Sequence, residues 1–380
     1  MRSRMELERI EELSLSPGAV RSAKSKGRIH PEPLHPYRTS FQRDRDRIIH
    51  STAFRRLEYK TQVFIYHEGD YYRNRLTHTI EVQQIARTLA RGLGLNEDLT
   101  EAISLAHDIG HTPFGHKGEY ALQEEMKRHG QSFEHNRHGL RIVDLLEKRY
   151  PSFNGLNLSW EVREGIVRHS THYDTPETTE FSFFLSPSLE CQIVNKADAI
   201  AYTSHDIDDG IQSKILDETE LSKISLWNKA LKTIPSHHNR EMKHRIGVRN
   251  LINILVSDIL RESSKKLTET RPNHVDEVRA MPSIIAHSQK IGALYNDLNS
   301  YLFQKMYNHY RVIRMAEKAS RIIHDLFEAY IHEPRQLPPS VYQKIQSEKK
   351  EQVICDYLAG MTDRFALDEY SRLFNPHTLV

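Results

Sequence analysis

Apolar residues recur at helical spacing along almost the whole chain, and strand-like alternation is nearly absent. Between Tyr37 and Leu57, residues Phe41, Arg45, Ile48, Ile49, Thr52 and Ala53 fall at helical spacing. His78, Val82, Ile85 and Leu89 do the same between Arg75 and Arg91, and Gly92 ends that helix. Asn96 reads as an N-cap, with Glu97 and Asp98 in the first turn of a helix striped by Leu99, Ala102, Ile103 and Ala106. Further helices are expected over 119–129, from His135 through Leu146, and over 160–169, 188–206, 250–261, 291–315 and 320–331. Residues 61–66 read as a short strand or hairpin arm before the turn signal Glu68-Gly69-Asp70, and 171–180 as a loop. The fold class is all-α.

Composition narrows the function classes. A chain of 380 residues can build one large core or two lobes. Its formal net charge of +2 argues against a dedicated nucleic-acid protein and leaves room only for local basic patches. Cys191 and Cys355 are the only cysteines and lie far apart. They make neither a disulfide framework nor a cysteine-type zinc site, which suits a reducing, cytoplasmic setting. No apolar run is long enough to span a bilayer, and Met1 to Glu8 lacks a signal-peptide apolar region, so no membrane partner is expected. Residues 1–28 are polar, with a basic run from Arg21 to Arg28, and read as a mobile N-terminal arm. The 23 histidines outnumber either Tyr or Phe taken singly, a hint toward metal or proton chemistry.

The chemistry-bearing residues concentrate in Ala106-His107-Asp108-Ile109-Gly110-His111-Thr112-Pro113-Phe114-Gly115-His116-Lys117-Gly118-Glu119. Gly110 and Pro113 stop a helix there and open it into a bent loop. His78 and His107 each share a face with apolar residues, and Asp108 sits beside His107. Asp198 lies among Ile193, Ala197, Ile200 and Ala201, an odd place for a solvated carboxylate, and Tyr202 and Asp206 follow it at steps of four. Burying an unpartnered carboxylate is costly; a metal ion or an arginine would relieve it. Two readings stand at this point: core histidines beside a solvated His-rich loop, or a site for a divalent metal ion. Imidazole with carboxylate suits Mn, Fe, Ni, Co or Zn, and Mg is reached through the carboxylates. The Arg-rich stretch 38–56 reads either as a salt-bridged solvated face or, through Arg55-Arg56 near Lys60 and Gln62, as a phosphate contact. His135-Asn136-Arg137 at a helix start suits a polar cap or an anion contact.

Taken in order, His78, His107-Asp108 and Asp198 resemble the His…His-Asp…Asp ligand set of the HD-domain phosphohydrolases. The likeness extends to whole blocks. Arg55-Arg56-Leu57 with Gln62, Arg75-Leu76-Thr77-His78-Thr79, the stretch from His107 to Glu119, Phe133-Glu134-His135-Asn136 and Asp198-Ala199-Ile200-Ala201-Tyr202 are similar to signature blocks of the deoxyguanosine triphosphate triphosphohydrolase family. The run from Asp356 to Ala366 resembles that family's closing block. The resemblance covers residues 35–370 and points to the shorter bacterial branch, whose base preference is open.

That resemblance implies a helical HD-domain fold, with the phosphohydrolase core over 29–240 and a further helical region over 241–380 packing on it. It implies hydrolysis of a deoxynucleoside triphosphate to deoxynucleoside plus inorganic triphosphate. By position, His78, His107, Asp108 and Asp198 would bind a divalent ion, Mn or Mg or another transition metal such as Ni, Fe or Co. His116 and Glu119 would be the catalytic pair, with His111 and His135 close to the phosphates. Gln62 would read the sugar 3′-hydroxyl, and Tyr202 would stack under the sugar. Arg75, Lys196 and Arg137 would meet phosphate charge, and Arg56 and Asp206 are further substrate contacts. A homo-oligomer is what the family suggests; an allosteric nucleotide and single-stranded nucleic acid stand open as further partners. The alternatives are another HD phosphohydrolase acting on a nucleoside monophosphate, cyclic nucleotide or alarmone, and a non-catalytic binder of nucleotides or single-stranded nucleic acid.

Overall fold

The structure, a computed structural model, describes residues 2–62, 73–169, 181, 183–235 and 237–379. Most of the expected hairpin arm, its turn and the loop at 171–180 lie outside these residues. In chain order the helices are α1 (Arg4–Ser14), α2 (Ser40–Ile49), α3 (Thr52–Arg56), α4 (Arg75–Leu93), α5 (Glu97–Ala106), α6 (Gly115–Arg128), α7 (His135–Arg141), α8 (Trp160–Val167) and α9 (Leu189–Gln212). They continue with α10 (Glu218–Leu221), α11 (Ser225–Leu231), α12 (Arg240–Thr270), α13 (Val275–Arg279), α14 (Gln289–Leu302), α15 (Tyr310–His332), α16 (Pro339–Tyr342), α17 (Lys350–Ala359) and α18 (Asp363–Phe374). Among the described residues β structure is limited to isolated bridges, such as Arg28 with Ser159, so the fold is all-α.

Caps set several boundaries that periodicity alone misplaces. The helix expected from Tyr37 to Leu57 is two helices, because the Ser51 hydroxyl accepts the Phe54 N–H and starts α3 afresh. α4 runs past Gly92 to Leu93, and the chain turns at Gly94, where φ is +66°. α14 passes into a π-helical stretch, Phe303–Tyr307, before α15 begins at Tyr310. The N-terminal segment, expected as a mobile arm, contains α1. Ser3 and Glu6 form a reciprocal capping box at its start. Beyond α1 the segment is tied down: Ser16 N–H donates to the Gly94 carbonyl at 2.7 Å, and Val20 N–H to Glu190 Oε1 at 3.0 Å.

Two compact units emerge, each built from three stretches of chain. The first holds Met1–Ile49, His78–Ala106 and Asn157–His309; the second holds His50–Thr77, His107–Leu156 and Tyr310–Val380. The division therefore differs from the expected one at 240: residues 241–309 go with the first unit and 310–380 with the second. In the first unit α9 is the central helix, packed by α5, α8, α12 and α14. Its Leu189, Cys191, Ile193, Val194, Ala197 and Ile200 are buried. Gly165 of α8 allows a close approach there, since a Cβ would sit 2.6 Å from Ile103 of α5. In the second unit α6 packs on α15 and α17 around Leu122, Met126, Phe133, Ile323, Phe327 and Leu358. Amphipathic α15 buries Ile323, Leu326, Phe327 and Tyr330, a stripe at helical spacing. Among the described residues no helix is long and apolar enough to cross a membrane.

Candidate functional site

The first unit carries one group of candidate residues. His78 near the start of α4 and Asp198 in the middle of α9 are both buried, and His78 Nε2 lies 2.9 Å from Asp198 Oδ1. The second oxygen of Asp198 faces His169 Nε2 at 3.4 Å. His169 is in turn oriented by its Nδ1, which donates to Asn195 Oδ1 at 2.7 Å. Burial works to raise the Asp198 pKa, but His169 and His78 outweigh it and hold the carboxylate well below its usual range. His205, two turns along α9 from Asp198, meets His78 at 3.3 Å and pairs with Glu81. His78 and Asp198 belong to a set of groups that could hold a metal ion. Sequence reasoning did not single out His169 or His205. His205 had a signal, for it stands on the same side of α9 as Asp198; His169 had none within its own segment.

The second unit carries the other group. Asp108 directly follows the buried His107, and Arg75 Nη1 donates to its Oδ2 at 2.8 Å. His111 Nε2 lies 3.1 Å from its Oδ1. Burial opposes ionisation, yet Arg75, His107 and His111 hold the Asp108 carboxyl well below the usual range. From this turn the chain enters α6 through Phe114 and Gly115, which both have positive φ. That entry places His116 and Glu119 on one face, one helical turn apart. His116 Nδ1 lies 3.4 Å from Glu119 Oε2. Glu119 Oε1 accepts both the ring Nδ1–H of His135, at 2.8 Å, and its backbone N–H, at 2.9 Å. His111 stacks on His135 with ring centres 3.9 Å apart. Burial would raise Glu119, but His135, His116 and His111 together hold it well below the ordinary carboxyl range. Burial, reinforced by Arg75 and His135, pushes His111 well down. His111, His116 and Glu119 form a second set of groups close enough to share an ion.

The remaining candidates are placed as follows. Gln62 is buried, and its Oε1 has no hydrogen-bond partner among the described residues. Tyr202 stacks in parallel with Tyr307 of the π-helical stretch, at 6.3 Å between ring centres, and the Tyr307 hydroxyl donates to Asp206. Burial pushes the Asp206 carboxyl up to about 8. Lys196, on α9, is half-buried, and its pKa is lowered by burial and by Lys266. Arg56 is exposed and donates to the Gly360 carbonyl at 2.9 Å. Arg137 is exposed at the start of α7. There Glu134 caps the N–H groups of Asn136 and Arg137, and Glu119 takes that of His135. The α7 N-terminus is thus a polar cap filled by the chain's own carboxylates. The Arg-rich stretch is a salt-bridged face: Arg38 and Arg45 pair with Asp46, and Arg47 with Glu32.

The HD domain family model matches residues 75–203, and the phosphohydrolase-associated domain matches 285–372. A deoxyguanosinetriphosphate triphosphohydrolase-like protein of Geobacter sulfurreducens is 48% identical over 377 residues, covering 98% of this chain and 98% of its own. The chain belongs to the deoxyguanosinetriphosphate triphosphohydrolase-like family. Its similarity to other members is as broad. The family protein of Ralstonia pickettii is 48% identical over 95% of this chain and 94% of its own, and that of Azoarcus sp. 47% over 95% and 97%. As a family member with an HD domain, the protein is a phosphohydrolase, and it carries buried His and carboxylate groups of the kind that hold a metal ion.

Proposed function

We propose that the protein hydrolyses deoxynucleoside triphosphates to deoxynucleoside and inorganic triphosphate, as the names of its relatives suggest. One observation carries the reading. A half-exposed imidazole, His116, stands beside a part-buried carboxylate, Glu119, that two other histidines help keep ionised. That is the arrangement a proton donor needs.

The donor set suits a divalent ion. His78 and His107 offer imidazole nitrogens, and Asp108 and Asp198 offer buried carboxylates held in the charged form. These four residues would hold it, with Arg75 and His169 orienting the two carboxylates. When bound, a divalent ion supplies positive charge at the phosphates and makes water a better nucleophile.

The chain's own residues do the rest. Release of intact triphosphate requires the bond between the α-phosphorus and the 5′-oxygen to break. Water oxygen ends on the α-phosphorus, and the departing 5′-oxygen takes a proton. His116 donates that proton, and Glu119 orients its ring and stabilises the charged imidazole. His135 and His111 fix Glu119. Arg75 and Lys196 meet phosphate charge. Gln62, with an open acceptor, reads the 3′-hydroxyl, and the Tyr202–Tyr307–Asp206 group faces the sugar.

The test is product analysis with Mn²⁺ and each of the four deoxynucleoside triphosphates, alone and mixed. Triphosphate with free deoxynucleoside is the expected outcome, lost on chelation and restored by metal. Turnover only in mixtures would add an activating nucleotide. Release of phosphate or pyrophosphate would move the protein to another HD reaction.

A further inference from the structure

The block from Asp356 to Ala366 stands out in the sequence, yet the reaction above uses none of it. Two buried charged side chains connect it to the His-rich loop, all within the second unit. Lys60, 3% exposed, donates its ammonium to the carbonyls of His111 and Ala359, the latter at 3.0 Å. Asp363, also 3% exposed, opens α18 and turns its carboxylate back on the chain. Its Oδ2 accepts the Thr61 N–H and its Oδ1 the Phe114 N–H, both at 2.9 Å. The backbone carbonyl of Lys60 accepts the N–H of Arg75 at 3.0 Å, and the Arg75 guanidinium holds Asp108. Residues 60–61, 111–114 and 359–363 are thus cross-tied by side chain-to-backbone bonds.

These ties fall where the loop needs them. Phe114 has φ of +64° and Gly115 +62°. A non-glycine residue there costs roughly 1–3 kcal/mol and persists only when its surroundings over-determine it. The Asp363 carboxylate holds the Phe114 N–H, and the Phe114 ring is buried in the core of the same unit. Because α6 starts at Gly115, the backbone at Phe114 sets where His116 and Glu119 point. Burying an ammonium and a carboxylate is a poor route to stability by itself, and apolar residues would fill the space at less cost. What the two polar groups supply is direction, through hydrogen bonds to named backbone atoms.

We propose that Lys60 and Asp363 are positioning residues for the reaction, fixing the loop from His111 to Phe114 so that His116 and Glu119 hold their geometry. The C-terminal block is then a working part of the active site. This inference rests on the triphosphohydrolase reading, and its test separates the two. In the full-length protein, Asp363→Asn sets an amide N–H₂ against a backbone N–H, and Lys60→Met keeps the stem without its donors. Hydrogen exchange is read at Thr61 and Phe114, with kcat, KM, Mn²⁺ affinity and Tm. The expected result for Asp363→Asn is lost protection at whichever of the two amides faces the new N–H₂ group and a kcat lower by about 100-fold, with KM and Mn²⁺ affinity little changed. Lys60→Met should lose protection in the 111–118 stretch and lower kcat in the same way. A variant that merely loses stability, with kcat per folded molecule unchanged, overturns the proposal. So does unchanged protection in both variants, or a failure of both to fold. If the wild-type protein turns over no deoxynucleoside triphosphate, the reaction reading falls, while the exchange measurement still decides whether the ties hold the loop.

Discussion

His116 is 39% exposed at its side chain, while His111 and His135 are buried behind it. Its removal should therefore stop proton transfer and leave the buried groups in place. His116→Gln is expected to lower kcat by about 100- to 10,000-fold with Mn²⁺ binding intact. Calorimetric titration with Mn²⁺ checks this, and loss of the metal would overturn the role. Asp108→Ala should do the opposite, losing the metal and leaving Arg75 buried without its carboxylate partner. A third single-residue prediction concerns stability. Burial pushes Glu190 from 4.5 up to about 7, although its Oε1 accepts the N–H groups of Val20 and Asn96. A carboxyl whose pKa is raised on folding binds more protons in the native state. Its stabilising effect is complete below about pH 4.5 and is lost as pH climbs through about 7. Glu190→Gln should flatten that decline, which over the whole range totals about 3 kcal/mol. Urea unfolding at pH 5 and pH 8 reads it; equal slopes for both proteins would refute it.

At the scale of elements, the connection from α5 to α6 works through close approaches. A Cβ on Gly110 would lie 2.0 Å from the His135 carbonyl oxygen and 2.4 Å from the Gly139 nitrogen. Both obstacles are backbone of α7, so α7 itself must move. Gly110→Ala should cost about 1–3 kcal/mol and disturb His135, the residue that holds Glu119. A lowered Tm together with a lowered kcat is the expected pair of results; an unchanged Tm would show that α7 shifts freely. Helix types and central stretches were legible from spacing alone, because each depends on residues within a turn or two. The ends were less so. Ser51 splits the Tyr37–Leu57 segment through a single hydroxyl, and the polar N-terminal segment holds a helix because Ser3 and Glu6 satisfy its first turn.

For the whole molecule, the second unit takes its core from two distant stretches. Leu122, Met126 and Phe133 pack with Ile323, Phe327 and Leu358. A chain ending at His309 would keep the first unit's residues and strip α15, α17 and α18 from the second. Such a fragment should lose cooperative melting and bind a hydrophobic dye through the exposed face of α6. A sharp transition with native near-UV dichroism would contradict the packing described here.

What the sequence determined by itself is what short-range physics encodes. Periodicity marked the helices and the inward faces of His78, His107 and Asp198. The blocks around them carried the family, whose HD and phosphohydrolase-associated domains match residues 75–203 and 285–372. Tertiary structure decided which groups meet. His169 reaches Asp198 from another helix's end, and Tyr307 reaches Asp206 from a π-helical stretch. Asp363 binds the N–H of Thr61 from 302 residues away. No local pattern announces such partners, because a buried charge is satisfied by whatever the completed fold brings within hydrogen-bonding distance.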